Sequence, residues 1–289
     1  MTSDAPGWFR AALEAPVEEG ATEVAGASIA YRAWGEAGAP GVVLVHGGAA
    51  HARWWDHVGP LLVEGARRVV AIDLSGHGDS GHRAEYDIDT WVAETLAVGE
   101  SAGIGGRPTV IGHSMGGYVT LRAAMTSGER MAGAIIVDTP MLELTPEAVA
   151  ARSGIAFGPL RVHATLAEGL ARFRPIPAQP VLDYVAAHVA EHSLRAVDGG
   201  WRWKFDPRIF GGSFLSPSSI TPLDPRVALI RGERGILSRQ MSLSVHDRLG
   251  RSVPLVEIPD AGHHIMLDQP LALVAALRTF LAEWETPSR

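Results

Sequence analysis

The chain has 289 residues, 46% of them hydrophobic, with 25 basic against 32 acidic side chains and a formal charge of −7. That apolar share excludes a disordered chain, and the acidic balance gives no electrostatic pull toward nucleic acid or an anionic membrane. Cysteine is absent, which excludes disulfides, cysteine-ligated zinc, iron–sulfur clusters and a thiol nucleophile together.

Glycine is over-represented, at 33 residues against a usual share of ~7%. With no G-x-y period, these glycines are expected at turns and close backbone approaches. The N-terminal stretch carries Asp4, Glu14, Glu18 and Glu19 and lacks the basic start and apolar run of a secretory signal. No stretch approaches the ~20 apolar residues that span a bilayer. A soluble, cytoplasmic protein is expected.

In chain order, residues 21–33 read as a hairpin around Gly26. Short apolar runs follow at 42–45, 67–72, 108–112, 134–137, 226–230 and 253–258. Helix-length segments lie between them at 52–64, 90–101, 115–127, 238–249 and 270–284. The last places Leu271, Val274, Leu277, Phe280 and Leu281 on one apolar face. Continuous apolar strands alternating with helices predict a parallel sheet covered on both faces. Residues 139–222 break the rhythm with many prolines, a helical stretch at 181–192 and the cluster Trp201-Arg202-Trp203-Lys204-Phe205. They read as a mostly helical insert. The expected organisation is one core domain, 1–138 and 223–289, interrupted by a cap at 139–222.

Gly112-His113-Ser114-Met115-Gly116 fits G-x-S-x-G between a predicted strand and a predicted helix. In that context the motif puts a serine on a sharp turn, its hydroxyl lifted above the sheet edge. A chance match in a glycine-rich chain is the competing reading, and the strand–turn–helix setting argues against it. Three further segments occur in order: His46-Gly47-Gly48, then Asp73-Leu74-Ser75-Gly76-His77-Gly78-Asp79-Ser80, and last Gly262-His263 followed by Asp268-Gln269-Pro270. Together they resemble the α/β-hydrolase fold family over essentially the whole chain, in its serine-nucleophile branch. The resemblance implies a mostly parallel eight-stranded sheet with helices on both faces and a helical cap insertion.

It also implies roles. Ser114 would be the nucleophile and His263 its base, with His264 the rival, more often a packing residue. The backbone N–H groups of Gly48 and Met115 would form the oxyanion hole. The acid is open. The family's usual position after the seventh strand is held by Gly235. Asp138, at the end of the 134–137 strand, is the first choice, as in part of the haloalkane dehalogenase branch. Glu233 is the alternative. His51, Trp54 and Trp55 read equally as pocket wall or packing. Trp201 and Trp203 read as insert packing or as a substrate-facing aromatic wall. His113 is expected to pack. The histidines show no metal-ligand spacing, so neither metal nor cofactor is expected.

The implied activity is hydrolysis of a carboxylic ester, or a related acyl bond, of a small, largely apolar molecule through an acyl-serine. A lactonase or carbon–carbon bond hydrolase would use the same triad. A non-catalytic small-ligand binding protein on the same fold is the reading of another class; covalent labelling of Ser114 separates it from an enzyme.

Overall fold

The structure, a computed structural model, describes residues 5–64, 66–141, 160–211, 215–221, 223, 225–250 and 253–285. Strands β1 (Glu18–Val24) and β2 (Ala27–Trp34) form the expected antiparallel hairpin. Ala25 and Gly26 both have positive φ (46° and 79°), the two-residue turn whose twist suits flanking strands. The remaining sheet strands are β3 (Gly41–Val45), β4 (Arg68–Ile72), β5 (Thr109–His113), β6 (Gly133–Val137), β9 (Arg226–Gly232) and β10 (Leu255–Ile258). The sheet has 8 strands in the order β1-β2-β4-β3-β5-β6-β9-β10. β4 to β10 in that row run parallel, and β2 joins β4 antiparallel.

Alternation along the strands splits the core across the sheet. Val42 and Leu44 belong to one apolar cluster, and Val43 and Val45 to the other. Helices α2 (Ile88–Ser101) and α3 (Met115–Thr126) contribute Leu96, Val119 and Leu121 to the second cluster. Helix α1 (Gly7–Glu14), which is not among the expected elements, contributes Phe9 to the first.

Residues 52–64 do not form the expected helix. They make 3-10 turns at Ala52–Trp55 and Gly59–Leu62, because Pro60 lacks the N–H that a continuing helix needs. A Cβ on Gly59 would also lie 2.7 Å from the Trp34 ring. The last helix (Pro270–Glu285) buries Leu273, Val274, Leu277, Phe280 and Leu281. Leu271, expected on that face, is exposed.

Residues 139–222, the expected insert, run between β6 and β9; of these, 142–159, 212–214 and 222 lie outside the residues described. It holds α4 (Leu166–Leu170), α5 (Asp183–His192) and 3-10 turns at Pro207–Gly211 and Pro217–Ser219. Beyond these helices it forms an antiparallel hairpin of β7 (Leu194–Val197) and β8 (Gly200–Trp203). The turn at Asp198-Gly199 explains it: Gly199 has φ +82° and Gly200 φ +146°. The chain after β8 ties back to the core loop after β4 through Gly78 N–H to Lys204 O (2.8 Å) and Asp206 N–H to Gly76 O (2.8 Å). No helix among the described residues is long and apolar enough to cross a membrane.

Candidate active site

Sheet order reverses at β3: its chain successor β4 lies on one side and β5 on the other. Ligand sites of open parallel sheets form at such a switch, beyond the carboxyl ends of the strands. The turn Gly47-Gly48 leaves β3 there, and Ser114 leaves β5.

Ser114 has φ 54° and ψ −117°, a sparsely populated conformation that costs ~1–3 kcal/mol for a non-glycine residue. Its neighbours hold it there. Ser114 N–H donates to Val137 O (3.0 Å), and Thr139 Oγ1 donates to Ser114 O (3.0 Å). Gly116 admits β3 at close range, since a Cβ there would sit 2.5 Å from the carbonyl oxygens of Val45 and His46. A tight strand-to-helix turn therefore needs the motif's glycine at that place.

His263 is 3% exposed, in the loop after β10. Its Nε2 lies 3.0 Å from Ser114 Oγ and its Nδ1 2.7 Å from Asp138 Oδ2. With Nδ1–H donating to the carboxylate, Nε2 keeps its lone pair toward the serine hydroxyl. Asp138 is fully buried at the end of β6, with φ 43°. Its Oδ1 accepts from Gly232 N–H (3.1 Å) and its Oδ2 from Ile236 N–H (2.9 Å). The end of β9 and the loop after it thus supply donors to Asp138 where the family more often supplies the acid. Glu233 points elsewhere: it is exposed and accepts from Asp260 N–H at 2.8 Å.

Two neighbouring histidines fix this loop. His113 Nε2–H donates to His263 O (2.9 Å), and His264 Nε2–H donates to Ile176 O of the insert (3.0 Å). Burial, reinforced by the nearby His263, holds His113 well below the usual histidine range and pushes His264 down to about 3. Both are neutral at ordinary pH. One ring nitrogen from each of His113, His263 and His264 lies within 4.8 Å of the others, close enough to share a metal ion. His263 Nδ1 is committed to Asp138, so an ion there would take Nε2, the nitrogen facing Ser114. Linear spacing does not predict this cluster, because His113 comes from a different strand end.

Met115 opens α3, so its N–H is in the first turn, which helix geometry leaves without an intrahelical partner. The helix dipole favours negative charge at that end. The Gly47-Gly48 turn closes with Ala50 N–H to Gly47 O (3.2 Å). His46 braces it, donating from Nδ1 to Gly47 O (2.7 Å) and accepting Leu74 N–H at Nε2 (3.1 Å). Burial lowers this ring to about 4, so it stays neutral.

The other expected residues separate. Trp54 packs against His264 (5.3 Å between rings) and Phe173 (6.4 Å), and Phe173 packs against Trp203 (6.2 Å). An aromatic row therefore runs from the insert to the His263 loop. Trp55 has no accessible surface and belongs to the core cluster, so it is packing, not pocket wall. Trp201 pairs through its backbone with His163. His51 Nε2 lies 2.7 Å from Ser193 Oγ, linking the turn to the insert. Phe173, Gln179 and Phe210 are absent from the expectations. Phe210 lies against Gly48, where a Cβ would be 2.9 Å from its ring. No local pattern marks these residues; the fold alone brings them here.

Comparison with known proteins shows the family of the fold. A family model described as alpha/beta hydrolase matches residues 42–277. The chain is 30% identical over 287 residues to the esterase Rv0045c of Mycobacterium tuberculosis, covering 94% of this chain and 92% of that one. It is 29% identical over 261 residues to the lipase LipV of the same organism, covering 86% and 95%. Among solved structures, the hypothetical protein PA1622 of Pseudomonas aeruginosa superposes with a TM-score of 0.77 at 25% identity, covering 94% of this chain and 99% of that one.

Proposed function

The chain belongs to the alpha/beta hydrolase family, and from that premise we propose that it hydrolyses a carboxylic ester of a small, largely apolar substrate through an acyl-serine on Ser114. The observation that carries this reading is the continuous link from Ser114 Oγ to His263 Nε2 (3.0 Å) and from His263 Nδ1 to Asp138 Oδ2 (2.7 Å). A serine hydroxyl is a weak nucleophile until a positioned base takes its proton, and this link supplies base and orienting acid. The esterase and lipase relatives support ester chemistry.

In this mechanism Ser114 Oγ attacks the ester carbonyl as its proton passes to His263 Nε2. Asp138 keeps Nδ1–H in place and offsets the imidazolium charge. The oxyanion takes hydrogen bonds from the N–H groups of Met115 and Gly48. His263 then protonates the departing alkoxide, leaving acyl-Ser114. Water, deprotonated by the same nitrogen, attacks the acyl carbon, and Ser114 recovers its proton as the acid leaves. The insert acts as the cap, and the row Trp54, Phe173 and Trp203 supports an apolar substrate.

The test is turnover of p-nitrophenyl esters of increasing acyl length by wild type and Ser114→Ala. The proposal expects hydrolysis that Ser114→Ala abolishes. Equal hydrolysis by both proteins would overturn it, and binding without turnover would point to a ligand-binding protein.

A further inference from the structure

We infer that Gln179, in the insert, is a positioning residue that aligns His263 with Ser114; the inference rests on the hydrolytic reading above. Residues 176–182 of the insert cross the loop 262–268, which carries His263. Ile176 O accepts His264 Nε2–H (3.0 Å), and Leu182 N–H donates to Leu267 O (2.9 Å). Between these ties, Gln179 makes three bonds. Its Oε1 accepts His264 N–H (2.8 Å), and its Nε2 donates to His264 O (3.3 Å) and Asp268 Oδ2 (2.9 Å).

A primary amide is the side chain that can do this. It presents an acceptor and a donor in one plane, so one group holds both the N–H and the C=O of a single residue. The amide also lies flat on the loop: a Cβ on Gly262 would be 2.7 Å from Gln179 Cδ. His263 is therefore bracketed. Gln179 bonds both backbone groups of His264 on one side of it and packs on Gly262 on the other, and His113 holds its own carbonyl. Asp268 completes the set by accepting Gly262 N–H (2.6 Å) on the oxygen that Gln179 reaches. Gln179 touches neither Ser114 nor the reacting atoms. It acts by fixing the peptide frame on which the imidazole is mounted, and a shift of ~1 Å in such a frame can cost about 10²-fold in rate.

Two variants separate positioning from packing. Gln179→Met keeps the length of the side chain and its contact with Gly262 but loses the paired donor and acceptor; Gln179→Ala loses both. The inference expects both variants to lose about 10–100-fold in kcat with KM within about threefold. It also expects amide hydrogen exchange across 262–266 to speed by about tenfold in both, with the rest of the sheet unchanged. A role in packing alone would leave Gln179→Met at the wild-type rate, and that result overturns the inference. So does a KM increase at constant kcat, which would place Gln179 against substrate. The exchange measurement needs no turnover, so unchanged exchange overturns the inference whether or not the hydrolytic reading stands. Failure of the reading itself shows separately, as turnover that Ser114→Ala does not abolish.

Discussion

A Cβ added to Gly235 would lie 2.2 Å from Oδ1 of Asp138. The loop position at which the family more often keeps its acid and the carboxylate at the end of β6 therefore occupy the same space. A side chain at 235 and the Asp138 carboxylate in its present position exclude one another. The glycine in the loop after β9 leaves room for the carboxylate at the end of β6.

Gly235→Ala should then damage activity without replacing any proposed catalytic residue. The methyl group pushes the Asp138 carboxylate off His263 Nδ1, and kcat is expected to fall on the order of 10²-fold with little change in KM. Steady-state kinetics beside a thermal melt would separate this from unfolding. A Gly235→Ala protein with wild-type kcat would show that the carboxylate can move without consequence.

The choice between the two acids can be read directly. Asp138→Asn is expected to lower kcat on the order of 10⁴-fold, the scale for loss of an orienting acid. Glu233→Gln should stay within about twofold, as an exposed surface substitution does, because Glu233 is bonded to the Asp260 backbone. The reverse ranking would make Glu233 the acid.

Gly116→Ala forces a methyl group against the backbone carbonyls of Val45 and His46, neither of which is the end of a flexible side chain. Overpacking of this kind costs about 1–3 kcal/mol, so denaturant melts should show a loss near the top of that range. Gly7→Ala, with nothing within 4 Å, is the control and should be neutral or slightly stabilising. Equal stabilities for the two variants would contradict the close approach of α3 to β3.

Stability should also fall steeply in mild acid. Burial pushes His46 and His57 down to about 4 and His264 to about 3, and holds His51, His77 and His113 well below the usual range. In the unfolded chain each titrates near ~6.5, so between there and about 4 the unfolded state binds protons that the folded state refuses. Their contribution is complete above pH ~6.5 and is lost as pH falls below it. Asp73, raised to about 6 by burial, has the opposite sign and offsets roughly one histidine over pH ~4–6. Melting temperature measured from pH 7.5 to 4.5 should drop sharply below 6.5. A flat profile would mean that these rings are protonated in the folded protein.

Local chemistry made the scaffold legible. The run Val42 to Val45 and the sequence Gly112 to Gly116 state their strand and elbow in adjacent residues, because burial on both faces and a strained turn each demand particular side chains in place. Residues 52–64 misled because their apolar spacing suits a helix, while Gly59-Pro60 interrupts it. Helix α1 does carry the helical spacing in Trp8, Phe9, Ala12 and Leu13, though over only 8 residues. The choice between Asp138 and Glu233, and the places of Phe173, Gln179 and Phe210, depend on strand order and on where the insert lies. Those are tertiary facts with no local signature.

In the proposed reaction Ser114 carries the acyl group. Rapid mixing with p-nitrophenyl acetate, acid quench and peptide mass spectrometry test it most directly. One acetyl group is expected on the peptide containing Ser114, formed in a burst of p-nitrophenol release and absent in Ser114→Ala. Asp138→Asn should acquire it far more slowly. Turnover with no acyl adduct at Ser114, or an adduct on another residue that persists in Ser114→Ala, would contradict it.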